Sequence, residues 1–374
     1  MMGESERVLT ESVAAPGASV EAPAVSGEAP AVSGKAPARQ VVRIGEIDAL
    51  RGLAALAVLV MHYTTSYDQL FGHSSALWVK NPYGGLGVHL FFMISGFVIF
   101  LTIDRAGSIA DFAVSRFARL YPAYWTALLI TLAVTYNHRL PGHELTGTAI
   151  ASNFTMFQAF LGFVHIDPVY WTLEAEMKFY ILIAFLFAIG QRRRVTLVFA
   201  GLVILQLVDS YLHFTDWPGY GLWRLRVYLP FEYLYLFLAG MVFYEMLQGW
   251  RWIHGVLLGL CVTAAFSHMV PYRSAIVVVS GVLLVACTRQ WLPWLACRPL
   301  VFLGTISYSL YLTHQFVGYR VIEVCYERGI NGNIGILIAT LISLVLATGI
   351  TFLVERPANR WIRTTYQAFT RPRS

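Results

Sequence analysis

Residues 46–63 read EIDALRGLAALAVLVMHY. Between Arg51 and His62 the run is wholly apolar, and with its flanks it matches the roughly 20 residues that an α-helix needs to cross a bilayer core of about 30 Å. Arg51 and His62 are 11 positions apart. At about 100° per residue that is three turns plus a small offset, so the two share one helix face, separated by roughly 16 Å along the axis. A membrane helix with a guanidinium near one end and an imidazole toward the other sets the terms for the rest of the chain.

The composition agrees. Of 374 residues 57% are apolar and 13% charged, against roughly 45–50% and 25% in soluble domains. This excludes an ordinary soluble protein, and the net charge of +6 is read as membrane topology rather than as nucleic-acid binding. Ten apolar segments follow one another at about 46–66, 84–103, 118–136, 168–190, 195–213, 225–247, 251–269, 273–289, 300–319 and 334–355. They predict an all-α polytopic membrane protein of about ten transmembrane helices, with one membrane domain over 43–363. Before it, residues 1–42 are rich in Ala, Pro, Ser and Gly and repeat EAPAVSG at 21–27 and 28–34. That composition predicts a disordered tail. The tail lacks a signal-peptide run, which leaves the first apolar segment as the insertion signal.

Lys and Arg number eighteen on the side of the two termini and seven on the other, with Arg51 and Lys178 inside segments. The bias predicts a multi-pass protein of the inner (plasma) membrane with both termini, including a short basic end at 364–374, in the cytoplasm. The long outer loop, 137–167, is expected to carry an interfacial helix over TAIASNFTMFQAFLGF. Segments 251–269 and 273–289, nearly free of ionisable groups apart from His254 and His268, read as scaffold. Cys261, Cys287, Cys297 and Cys325 form no CxxC pair and read as small hydrophobes, and no metal site is expected.

Ionisable groups inside a bilayer are costly, so their depth is informative. His89, Glu174, Glu176, Glu232 and His314 each fall some five to eight residues from an outer end, and with His62 they predict one polar layer. Arg51, Arg116 and Arg119 form a second, basic layer at the inner surface. Such a pair of layers suits a molecule with an anionic head at the cytoplasmic surface and a reactive end in the membrane, as in acyl-coenzyme A. Three of these groups have simpler readings. Glu174 and Lys178 are spaced i, i+4 and suit a structural pair. Arg116 and Arg119 could mark a helix end and touch phosphates of membrane lipids. His73, His138, His143 and His165 read as loop residues.

Arg51 and His62, GVHLFFMISGFVI (87–99), RFARLYPAYW (116–125), WTLEAEMKFY (171–180), GTISYSLYLTHQ (304–315) and VERP (354–357), six motifs in order, together resemble acyltransferase family 3, the integral-membrane O-acyltransferases. The resemblance covers about 46–360. It implies transfer of an acyl group, often acetyl, to a hydroxyl of a sugar or natural product, and it puts Arg51, His62, Arg116 and Arg119 among the functional residues. Two departures stand out: the family's Trp-Ser-Leu is Trp171-Thr172-Leu173, which keeps the hydroxyl, and Gln315 replaces the usual aromatic after His314.

The resulting expectation is an acyltransferase using acyl-coenzyme A, with His62 as general base and Glu176 orienting it. Arg116 and Arg119, with Arg51, hold coenzyme A phosphates, while His89, Trp171 and His314 line the site of a carbohydrate or secondary-metabolite acceptor. At Ser95-Gly96 a pantetheine arm could meet the backbone, or Gly96 could serve helix packing. A transporter or flippase of a lipid-linked glycan is the rival reading, and no half-to-half repeat supports it.

Overall fold

A computed structural model describes residues 45–103, 106–135, 145–214, 228–267 and 271–370. The expected disordered tail, the loop residues His138 and His143, and His268 lie outside these residues. Among the described residues the chain is all-helical.

Each of the ten apolar segments overlaps a helix among the described residues. Helix α1, Gly45–Met61, runs without a break into a π-helical turn, His62–Ser66, and a short α2, Tyr67–Phe71. There follow α3 (Leu86–Ile103), α4 (Ile109–Thr135), α5 (Gly147–Asn153), α6 (Trp171–Ala188), α7 (Val195–Phe214) and α8 (Leu234–Gln248). The remainder are α9 (Trp252–Phe266), α10 (Pro271–Thr288), α11 (Arg298–Glu327), α12 (Gly332–Ile350), a second π-helical turn over Thr351–Glu355, and α13 (Arg356–Thr370).

Four stretches, Gly45–Phe71, Ile109–Thr135, Arg192–Leu212 and Gly332–Thr370, are long and apolar enough to cross a membrane on their own. Helices α6 and α11 fall short for a physical reason. Glu174, Glu176 and Lys178 sit on α6, and α11 buries Ser307, Ser309, Thr313, His314 and Gln315 inside the protein.

Helix α11 is the central element, packed on α1, α4 and α12, while α3 packs on α1 and α8. Close approach depends on missing side chains. A Cβ on Gly304 of α11 would overlap the Asp48 carbonyl of α1, and one on Gly96 of α3 would overlap the Phe237 carbonyl of α8. Small residues at membrane helix crossings permit such backbone contact. Gly96 is therefore a packing residue, and the alternative of a backbone surface open to a ligand is set aside.

Three boundaries differ from the sequence reading. Helix α4 starts at Ile109, which puts Arg116 and Arg119 within a helix rather than at its tip. Helix α11 continues to Glu327, and Arg320, counted in a loop, pairs there with Glu323 at 2.7 Å and Glu327 at 3.0 Å. The expected interfacial helix is split into α5 and a short turn at Ala159–Leu161, because Met156 adopts φ 65° and ends the helical run. Asn153 holds this loop in place: its Nδ2 donates to the Ala149 and Val164 carbonyls, and its Oδ1 accepts from the Ile166 amide.

Candidate active site

Two cavities lie among α1, α3, α4, α6 and α11. One, of about 130 Å³, is walled by Arg51, Ser95, Arg116, Arg119, Glu176 and Tyr180, among others. The other, of about 200 Å³, is lined by His62, His89, Trp171, Tyr233 and Gln315. Val88 and Tyr311 line both, so they stand between the two spaces.

In the histidine cavity, Nδ1 of His62 lies 2.7 Å from Nε2 of His314. The other ring nitrogen of His314 is 2.9 Å from the Tyr311 carbonyl. A carbonyl only accepts, so His314 carries its proton on Nδ1 and presents a lone pair at Nε2; His62 then donates from Nδ1 and keeps its lone pair on Nε2. The hydrogen-bond network thus assigns the tautomer of both rings. His314 is fully buried and held by its helix. Tyr63, next in the chain, donates to the His314 carbonyl at 2.8 Å and fixes α1 against α11. Trp171 and Tyr233 lie with ring centroids 5.1 Å apart, and His89 meets Tyr233 edge-on.

The arginine cavity is organised by carboxylates. Arg119 is paired with buried Glu355, which also accepts from Ser309 at 3.2 Å; Thr351 in turn donates to Ser309 at 2.9 Å. Glu176 accepts from Ser95 at 2.8 Å and from Tyr180. Arg51 is within electrostatic reach of both carboxylates. Arg116 stands over the Tyr180 ring at 5.5 Å, and its Nε is a buried donor with no hydrogen-bond partner among the described residues. An unmatched buried guanidinium donor is costly, and a bound water or anion would complete it.

These facts redistribute the expected polar layer. His62, His89, Trp171 and His314 do come together. Glu176 does not orient His62: it belongs to the arginine cavity with Arg51, Arg116 and Arg119, and the partner of His62 is His314. Glu174 pairs with Lys178 at 2.6 Å, the structural reading, and is 3.5 Å from His165. Glu232 is exposed. Thr172 places its hydroxyl 3.1 Å from that of Tyr311. Residues not singled out from the sequence are Glu355, Tyr180 and Tyr311. All three stand inside quoted motifs, and VERP in particular holds the carboxylate that Arg119 needs.

Outside the helices, Asp167 precedes α6 in the loop that brings Pro168 and Val169 to the histidine cavity. Burial pushes its carboxyl up to about 7, against the opposing effect of backbone amides at Val169 and Phe316. No cluster of three or more metal-ligating side chains occurs among the described residues.

An all-helical membrane protein with a hydrogen-bonded imidazole pair beside an arginine-lined cavity fits the group-transfer class. The chain matches the acyltransferase domain family, acyltransferase family 3, over residues 44–356, and it belongs to that family. It is an enzyme that transfers acyl groups other than aminoacyl groups. Among similar proteins are an acyltransferase, MdmB, of Streptomyces mycarofaciens, 26% identical over 86% of this chain and 93% of that one. The exopolysaccharide production protein ExoZ of Rhizobium meliloti is 26% identical over 74% and 90%. The peptidoglycan O-acetyltransferase OatA of Listeria monocytogenes is 26% identical over 72% of this chain and 49% of its own length. No solved structure matches.

Proposed function

We propose that this chain crosses the plasma membrane ten times with both termini in the cytoplasm, and moves an acetyl or other short acyl group from acyl-coenzyme A to a hydroxyl of a carbohydrate or natural-product acceptor. The observation that carries the reading is the His62–His314 contact, which leaves His62 Nε2 as the basic nitrogen beside a cavity. In this scheme His62 takes the proton of the acceptor hydroxyl as its oxygen attacks the thioester carbonyl. The tetrahedral adduct then expels the coenzyme A thiolate as the C–S bond breaks, and the proton passes from His62 to the sulfur. A well-placed base typically contributes 10²–10⁴-fold. His314 acts as a positioning residue, accepting from Nδ1 as charge forms on the ring.

The donor's phosphates would sit in the arginine cavity, on Arg116 and on Arg119 held in place by Glu355, with Arg51 beside them. The helix spacing supports this. Arg51 and His62 are roughly 16 Å apart along the axis, close to the roughly 15 Å that a pantetheine arm of about a dozen bonds spans when extended. Trp171, Tyr233 and Tyr311 offer aromatic faces to an acceptor, with His89 at the edge. The names of two relatives, an exopolysaccharide production protein and a peptidoglycan O-acetyltransferase, favour a carbohydrate.

Purified protein in detergent, given acetyl-coenzyme A labelled in the acyl group, tests the reading. Release of free thiol with transfer to a hydroxyl acceptor is expected without a sealed compartment. Activity confined to sealed vesicles, as movement of a lipid-linked glycan, would replace it.

A further inference from the structure

Helix α13 brings a second guanidinium beside Arg116, a residue of the arginine cavity's wall, from a position outside the motifs and outside that wall. Arg363 donates from Nη2 to Ser115 Oγ at 3.0 Å, and Arg116 donates from its own Nη2 to the same oxygen at 3.3 Å. One hydroxyl thus holds two guanidinium groups, one from α13 and one from α4. Asn359 donates to the Ala118 carbonyl at 3.1 Å and fixes α13 along α4 at this point.

The charge is unbalanced. Arg119 has Glu355, whereas neither Arg116 nor Arg363 forms an ion pair among the described residues, and Arg363 is within electrostatic reach of both Arg116 and Arg119. Two guanidiniums held side by side repel each other, and a doubly charged anion resolves the repulsion with the charge-assisted, bidentate contacts that arginine favours. A phosphate monoester carries about −1.5 to −2 at neutral pH, which matches two free cations; each phosphate of a diphosphate bridge and each lipid phosphodiester carries one charge. Arg116 lines the cavity while Arg363 is exposed on its helix, so the pair links the cavity wall to the protein surface.

We propose that Ser115, Arg116 and Arg363 form a subsite for a phosphate monoester, namely the 3′-phosphate on the ribose of the coenzyme A donor, with the diphosphate bridge further in. The inference rests on coenzyme A being the donor.

Calorimetry on the full chain in neutral detergent, with coenzyme A and 3′-dephospho-coenzyme A as the two probes, separates the two claims. The wild type is expected to bind coenzyme A about tenfold more tightly. Arg363→Gln, which keeps the helix, and Ser115→Ala should each erase most of that preference while leaving affinity for the dephospho form unchanged. Equal binding of both probes by the wild type overturns the subsite and leaves the donor reading standing. Binding of neither overturns both. An Arg363→Gln variant that retains the full preference also overturns the subsite. So does a variant whose only change is a loss of thermal stabilisation by phosphatidylglycerol in nanodiscs, which would assign Arg363 to lipid headgroups.

Discussion

Nδ1 of His62 sits 2.7 Å from Nε2 of His314, and His314 in turn is anchored at 2.9 Å on the carbonyl of Tyr311 in its own helix. The contact joins the π-helical turn after α1 to α11 across the site and fixes which nitrogen of His62 is basic. His314→Ala should therefore lower kcat about 10–100-fold without changing KM for acyl-coenzyme A, since orientation and tautomer control fail while the phosphate site is untouched. His314→Gln, whose carbonyl oxygen can accept from Nδ1, should restore part of the rate. Equal losses in both variants would show that shape, and not acceptance of that proton, is what His314 supplies.

Glu355 is buried, and its partner Arg119 is mostly so. Removing one member of such a pair strands the other's charge, at a cost of about 3–5 kcal/mol, whereas replacing both by apolar groups is often close to neutral. Glu355→Leu should lower the melting temperature markedly, and Arg119→Met with Glu355→Leu should recover most of that loss while transfer stays impaired. Thermal melts of the two variants beside the wild type decide it; no recovery in the double variant would mean that the pair is not coupled.

Asp167 gives the fold a pH dependence. Its carboxyl is raised from 3.8 to about 7 by burial. Between those values an unfolded chain has released the proton while the folded one retains it, so this contribution to stability is complete below pH 3.8 and disappears as pH rises through 7. Asp167→Asn removes the titration and keeps an oxygen for the Val169 amide. The melting temperature of this variant relative to wild type should thus rise between pH 5 and pH 8; a difference independent of pH would refute the assignment.

Helix packing makes a separate forecast. Gly304→Ala drives a Cβ into the Asp48 carbonyl, and neither backbone can yield without moving a helix. Overpacking of this kind costs about 1–3 kcal/mol. Gly259→Ala on α9 meets open space and should be neutral or slightly stabilising, by up to about 1 kcal/mol from helix propensity. Matching melting temperatures for the two variants would contradict the close crossing of α1 and α11.

The placement of several residues was legible from hydropathy and residue counting: Arg51, Arg116 and Arg119 line one cavity, and His62 and His89 line the other beside His314. Trp171 was carried by its motif alone. Counting along a helix yields depth alone, however, and says nothing about which helices touch. Glu176 has the depth of His62 yet faces Ser95 and Tyr180. Glu355 reads in sequence as the end of an apolar segment, since the residue that neutralises its carboxylate lies 236 positions away. The π-helical turns at His62–Ser66 and Thr351–Glu355 are equally hidden, since a local widening of the helix leaves no periodic signal, and such turns are frequent at functional sites.

The central claim is that His62 removes the proton from the acceptor hydroxyl. Turnover of acetyl-coenzyme A by purified His62→Gln in detergent, measured with coenzyme A affinity on the same sample, tests it most directly, because Gln replaces a hydrogen bond but takes no proton near neutral pH. Transfer at least about 100-fold below wild type, with coenzyme A affinity unchanged, is the predicted result. Wild-type turnover in His62→Gln would contradict the account.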